Sequence, residues 1–275
     1  MGEHMLRLLR SLVAATAVVG FSTVAVADGM PTRYAAPAYT SWSGFYLGGS
    51  LGFQWTDVDW NFPAPIANQI TSTSQSYDHA VWGAHVGIQH QFGAIVVGLE
   101  AGAKIDPKTS LSRRESSRCA FPLPFEDRCD VNNVNKLYTL GGRLGWTPAS
   151  KWLLYATGGY ASVEVDTGIR FGGIGVPPLP GATPVSRGDA RHDGWYIGGG
   201  VEYMVTKNVI IGLEYQHFDF GTVRHCSDGI PNPCGLAGAG TLPLFVRDVD
   251  LTMDVVSARL TFKFGRDREV AAPLK

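Results

Sequence analysis

Apolar and polar residues alternate with a period of two along several stretches of this chain, most cleanly near its end. From Val256 to Phe264, residues Val256, Ala258, Leu260, Phe262 and Phe264 fall on one face, and Ser257, Arg259, Thr261 and Lys263 on the other. Successive side chains of a strand point to opposite faces, so the pattern predicts a strand with one apolar and one polar, cationic side. Further segments read the same way: Gly44–Phe53, Val81–Gln91, Ile95–Ala103, Lys136–Thr147, Trp152 to about Asp166, Gly194–Met204 and Val209–Phe218. Within the fifth strand, Leu153-Leu154-Tyr155-Ala156 does not alternate, and periodicity leaves its facing open.

The connections alternate in length. Phe92-Gly93-Ala94, Pro148 to Lys151 and Thr206-Lys207-Asn208 are tight turns, whereas Trp55–Tyr77, Ile105–Asn133, Thr167–Arg191 and Gly221–Arg247 read as long loops rich in turn-forming and polar residues. In an up-and-down sheet this gathers the long loops at one end and the short turns at the other, the layout of bacterial outer-membrane barrels. Aromatics on the apolar faces cluster near both ends. Phe45, Trp146, Trp152, Tyr203, Phe262 and Phe264 lie toward the short turns, and Trp55, Trp82, Tyr138 and Trp195 toward the long loops. Two aromatic girdles are what the two membrane interfaces select.

The polar faces bring together Glu100, Glu202, Glu214, Arg143, Arg259 and Lys263. Turned to lipid, each mid-depth cation would be unfavourable by roughly 2 to 4 kcal/mol, so these six are assigned to a lumen network. A soluble sandwich could carry the same charges on its surface, but its wide exterior band of apolar and aromatic residues would aggregate in water. The expected fold is therefore all-β, an eight-stranded antiparallel up-and-down transmembrane β-barrel, with an interior just wide enough to fill with side chains.

Composition agrees. Glycine contributes 34 of 275 residues, aromatics are 11% and charged residues only 17%, which suits β architecture and argues against disorder. A formal net charge of −1 offers no basic surface for nucleic acid. At the amino terminus, Arg7 and Arg10, an apolar run from Leu12 to Val26 and the small-residue stop Ala25-Val26-Ala27 form a secretory signal pattern. The expected organisation is a signal peptide over 1–27 cleaved after Ala27, a periplasmic lead-in over 28–42, a barrel over 43–264 and a periplasmic tail over 265–275. No stretch of the mature chain reaches 18 consecutive apolar residues, so no helical span is expected.

Five motifs resemble a known family: Trp42-Ser43-Gly44-Phe45-Tyr46-Leu47-Gly48-Gly49, Leu153-Leu154-Tyr155-Ala156-Thr157-Gly158-Gly159, Gly198-Gly199-Gly200-Val201-Glu202-Tyr203, Gly212-Leu213-Glu214-Tyr215 and Arg259-Leu260-Thr261-Phe262-Lys263-Phe264. Together they are similar to the small outer-membrane β-barrel proteins of the alphaproteobacterial porin family, with an OmpA-like barrel. The resemblance implies an eight-stranded barrel in the outer membrane with surface loops. The partners expected are outer-membrane lipid and the barrel-insertion machinery, with a monomer favoured. The family is united by fold rather than by one activity.

Candidate chemistry is sparse. Cys119 with Cys129 and Cys226 with Cys234 form two local pairs, which in an exported protein read as disulfides; neither has the close spacing of a metal site. His79, His192, His217 and His225 gather toward the long loops near Asp78, Asp193, Asp219 and Asp228. No nucleophile motif or phosphate cradle accompanies them, so they read as polar residues on wet strand rims. No catalytic residue, metal or cofactor is assigned. The leading expectation is a non-enzymatic structural barrel displaying surface loops, with weak small-solute permeation as an added property. The alternative is a surface receptor or adhesin for haem or a host ligand, and the third reading is an outer-membrane hydrolase.

Overall fold

A computed structural model of the chain describes residues 41–61, 72–105, 116–118, 128–170, 185–226 and 246–265. In chain order the strands are β1 (Gly44–Asn61), β2 (Ser72–Phe92), β3 (Ile95–Ile105), β4 (Ser116–Arg118), β5 (Arg128–Ala149), β6 (Trp152–Arg170), β7 (Val185–Met204), β8 (Val209–Cys226) and β9 (Val246–Phe264). The sheet runs β3-β2-β1-β9-β8-β7-β6-β5, and β3 also pairs with β5, which closes an eight-stranded antiparallel barrel. The short β4 adds to the outer part of β5, opposite Arg128–Asp130. First and last long strands seal the ring from Phe45↔Phe264 to Asn61↔Asp248. Gly93, at φ 61°, makes the tight β2–β3 turn, where a positive φ suits glycine.

The strands are longer than periodicity suggested. β1 continues past Phe53 to Asn61, β2 starts at Ser72 rather than Val81, β7 at Val185 rather than Gly194, and β9 at Val246 rather than Val256. The reason is an inversion of the pattern along each strand. In β1, Phe45, Leu47, Leu51 and Phe53 face outward, but beyond Trp55 the outward positions are Asp57 and Asp59, while Val58 and Trp60 are buried inside. β9 does the same in reverse: Val249, Leu251, Met253 and Val255 point inward, and Asp248, Asp250, Thr252 and Asp254 outward, before the lipid-facing Val256, Ala258 and Leu260 begin.

Two solvents explain the inversion. Against lipid, the exterior must be apolar and the interior holds the polar groups; in water, the exterior must be polar and the interior apolar. The switch level is marked by exposed Trp55, Trp82, Tyr138, Tyr160, Trp195 and Tyr215. At the opposite end, Phe45, Phe92, Trp146, Trp152, Phe262 and Phe264 are exposed, and the half-buried Tyr203 packs its ring 4.9 Å from that of Trp152. Above the switch, Val58, Trp60, Val81, Leu137, Val163, Val165, Phe218, Phe220 and their neighbours form an apolar core inside the barrel, like that of a soluble protein. Burying each large side chain there stabilises by roughly 1.5 to 3 kcal/mol.

Candidate functional site

Among the described residues, buried charges converge in the interior at membrane depth, and several strands position them. Glu100 projects from β3, Arg143 from β5, Glu202 from β7, Glu214 from β8 and Arg259 from β9, all buried. Arg143 pairs with Glu202 at 2.5 Å and lies 3.6 Å from Glu100. Arg259 binds Glu100 with two hydrogen bonds, at 2.6 and 3.0 Å, also donates to Glu214, and passes 3.8 Å from Glu202. Two guanidiniums thus lace three carboxylates together. Removed from water, such charges persist only when paired and hydrogen-bonded.

Tyrosines complete the knot. Tyr46 donates its O–H to Glu100 at 2.9 Å, and Tyr155 to Glu214 at 2.8 Å. The Arg143 guanidinium sits 3.7 Å from the Tyr155 ring centroid, a cation–π contact. Glycines leave room for these side chains: a Cβ on Gly200 would meet the Tyr155 hydroxyl at 2.6 Å, and one on Gly87 the Tyr46 hydroxyl at 2.4 Å. Lys104 enters from the top of β3, donates to Gln216 and lies 5.4 Å from the Phe218 ring. Lys263 sits near the periplasmic mouth and donates to the Ser41 carbonyl.

That mouth is corked. Trp42 is fully buried among Val96, Leu153, Tyr155, Met204 and Ile210. Its backbone N–H donates to Gln91 Oε1 at 2.8 Å, and its carbonyl accepts from Gln89 Nε2 at 2.7 Å. From the bottom upward the lumen is therefore filled by an apolar cork, a charged layer and the apolar core of the extracellular half. Between Ser50, His85, Glu100, Lys104, Thr139, Glu214, Gln216 and Arg259 there remains a void of about 10 Å³. That is near the lower limit for holding one water.

Of the residues singled out from sequence, Glu100, Arg143, Glu202, Glu214 and Arg259 meet in this layer, and Lys263 lies below it. Lys104, Tyr46 and Tyr155 were missed. Lys104 continues the inward series Glu100, Gly102, one position beyond where the strand was ended, so its signal was the alternation itself. The cysteine pairs lie outside the described residues: Cys119 and Cys234 altogether, and Cys129 and Cys226 in their side chains. The histidines divide between the two sides of the wall. His79 stacks on Tyr77 within, at 5.8 Å between ring centroids; His192 and His225 face each other within; His217 faces outward and contacts Asp254 at 2.9 Å. Asp228 lies outside the described residues. Above the membrane on the outer face, Tyr160 donates to Asp193 at 2.5 Å and, with Ser162 and Arg191, holds that carboxyl below its usual range.

Residues 14–243 match the model of the outer membrane protein beta-barrel domain family. The chain belongs to that family. This outer-membrane barrel is also 27% identical over 222 residues to the 31 kDa outer-membrane immunogenic proteins of Brucella melitensis biotype 1 and Brucella suis biovar 1, covering 78% of this chain and 88% of theirs. Among solved structures it is similar to Ail, the attachment invasion locus protein of Yersinia pestis, at 10% identity, with 80% and 99% of the two chains covered and a TM-score of 0.34. Neisserial surface protein A matches at 13% identity, with 81% and 98% covered and a TM-score of 0.34. The protein resides in the cell outer membrane, with its apolar band in the bilayer and its polar-faced strand extensions in water.

Proposed function

We propose that this protein is a closed, non-enzymatic envelope element: a rigid outer-membrane barrel whose strands carry surface segments clear of the bilayer. The observation that supports it is the filling of the lumen by three stacked layers, Trp42 below, the Glu100–Arg143–Glu202–Glu214–Arg259 knot in the middle, and the Val58–Trp60–Phe218 core above. Conduction needs a continuous wet path, and two of these layers are apolar and packed. The polar strand extensions favour surface display over transport, and the name of the Brucella relatives, outer-membrane immunogenic protein, fits a protein presented outside the cell.

Planar-bilayer recording of the purified, refolded protein tests the reading. The expected result is no reproducible conductance step at any applied voltage short of membrane breakdown. Regular steps that vanish when Trp42 is covalently locked to the wall would instead assign a solute path through the barrel.

A further inference from the structure

On its lipid-facing side the barrel wall carries a groove of about 390 Å³ along β5 and β6, with a flank on β3. Ile95, Leu144, Trp146, Leu154 and Ala156 line it, all exposed, and the backbone of Gly145 and Gly200 forms part of its floor. Its size falls within the range of small-ligand sites. The hollow follows from residue size along the ladders. In the row Val97↔Leu144↔Ala156↔Gly199 the outward side chains shrink to none between β3 and β7. The next row toward the surface, Leu99↔Gly142↔Gly158↔Ile197, has two glycines at its middle. A Cβ on Gly142 would meet nothing within 4 Å, so no neighbouring side chain covers the wall at that level.

The lower end of the groove lies at the periplasmic interface, where exposed Trp146 and Trp152 and half-buried Tyr203 stand. Lys151, exposed in the turn between β5 and β6, immediately precedes Trp152. Its carbonyl accepts from the Met204 N–H at 2.9 Å, which fixes this turn to the rim of β7. Three residues of strand, roughly 10 Å, separate Lys151 from Leu154. A lysine keeps its ammonium at headgroup level while its stem follows apolar surface, so a charged head and a buried chain can be engaged together. Among the described residues the β5–β6 turn contributes no carboxylate, and the β7–β8 turn beside it adds Lys207 and no carboxylate.

We propose that this groove retains one anionic glycerophospholipid of the periplasmic leaflet, its acyl chain between Trp146 and Leu154 over Ala156 and its phosphate diester at Lys151. Apolar surface alone does not distinguish the site, since the surrounding lipid is equally apolar; shape does, because a chain lying in a hollow is contacted on more than one side. Charge then selects the head. Phosphatidylglycerol brings a negative charge with no amine to balance it, which suits a lysine in a turn without acids. The ammonium of phosphatidylethanolamine would meet that lysine with no carboxylate from either turn to receive it. The site lies on the outside of the wall, so it stands independently of how the lumen is filled.

Native mass spectrometry tests this on the full mature chain, refolded into bilayers of equal parts phosphatidylethanolamine and phosphatidylglycerol and released into mild detergent. A single phosphatidylglycerol is expected to stay with each barrel, favoured about tenfold over phosphatidylethanolamine. Lys151→Gln is expected to cut that preference to about twofold or less. Ala156→Phe, which fills the groove from an exposed position, is expected to abolish retention of either lipid. No retained lipid, equal retention of the two by wild type, or retention unchanged by either substitution overturns the proposal. A lipid-free dimer that Ala156→Phe dissociates also overturns it, by giving the groove to a second copy. If Ala156→Phe does not assemble, crosslinking of the wild type with phosphatidylglycerol carrying a diazirine in its acyl chain decides. Labelling concentrated in peptides covering 95–97 and 144–156 supports the site, and labelling spread evenly around the barrel overturns it.

Discussion

Arg259 on β9 grips Glu100 on β3 through two hydrogen bonds, at 2.6 and 3.0 Å, although the two strands share no ladder. The contact crosses the lumen, so it braces opposite walls rather than neighbours. Replacing Arg259 by Met leaves Glu100 and Glu214 buried without their principal cation. Loss of one partner of a buried ion pair is expected to destabilise by about 3 to 5 kcal/mol, read from urea unfolding in micelles. Adding Glu100→Gln and Glu214→Gln to Arg259→Met is expected to restore a substantial part of that loss, because the orphaned charges go with it.

Adjacent glycines on β5 should answer differently to the same change. A Cβ on Gly141 would meet the Gly158 carbonyl oxygen and the Tyr196 hydroxyl, each at 2.4 Å, whereas one on Gly142 meets nothing within 4 Å. Gly141→Ala is expected to destabilise by about 1 to 3 kcal/mol through overpacking. Gly142→Ala is expected to be neutral or stabilising by up to about 1 kcal/mol, since it restricts the unfolded chain. Paired thermal melts in the same detergent compare them.

The level at which the exterior changes from apolar to polar can be located by charge insertion. Leu99 and Ser74 both face outward and are exposed, one at membrane depth and the other above the aromatic switch. Leu99→Arg is expected to be unfavourable by roughly 2 to 4 kcal/mol in a bilayer. Ser74→Arg should stay within about 0.5 kcal/mol of wild type. Equal penalties would move the water boundary from where the aromatic ring puts it.

On the outer face, the hydrogen bond from Tyr160 is the leading cause of the lowered Asp193 pKa. Removing that donor with Tyr160→Phe is expected to raise the Asp193 pKa toward its ordinary value in carboxyl NMR titrations. A folded-state pKa below the unfolded one contributes stability at neutral pH that is lost as pH falls through the folded value. The variant should therefore show a shallower loss of stability on acidification than wild type.

The membrane-depth half of the fold was legible because lipid demands one face of every strand be apolar; Leu260 beside Arg259 states the assignment without help from any partner. The upper half was not, because Gln54 to Asn61 also alternates but with the faces exchanged, and polar Asp57 and Asp59 then read as a loop. Leu153-Leu154 was ambiguous for a related reason: Leu153 packs under the Trp42 cork and Leu154 faces lipid, so both environments are apolar. The acids and arginines of the lumen announced themselves by residue type. Tyr46 and Tyr155 did not, since a tyrosine can serve a girdle or a carboxylate, and only the neighbouring strand's glycines decide which. The inward turn of His225 depends on a backbone bulge that shifts the phase by one residue, which simple period-two counting misreads.

The ladder between Phe45 and Phe264 also sets an order in time. β1 can join β2 as a local hairpin, but its other edge has no partner until β9, the last of the described strands in chain order, arrives. Until then both terminal strands present unpaired amides and carbonyls, the condition in which strands recruit one another between chains. Closure across such a sequence separation is also intrinsically slow. Assembly is therefore all or nothing at a single seam, and a chain that stalls before Val246 is left with an open edge along the whole height of β1.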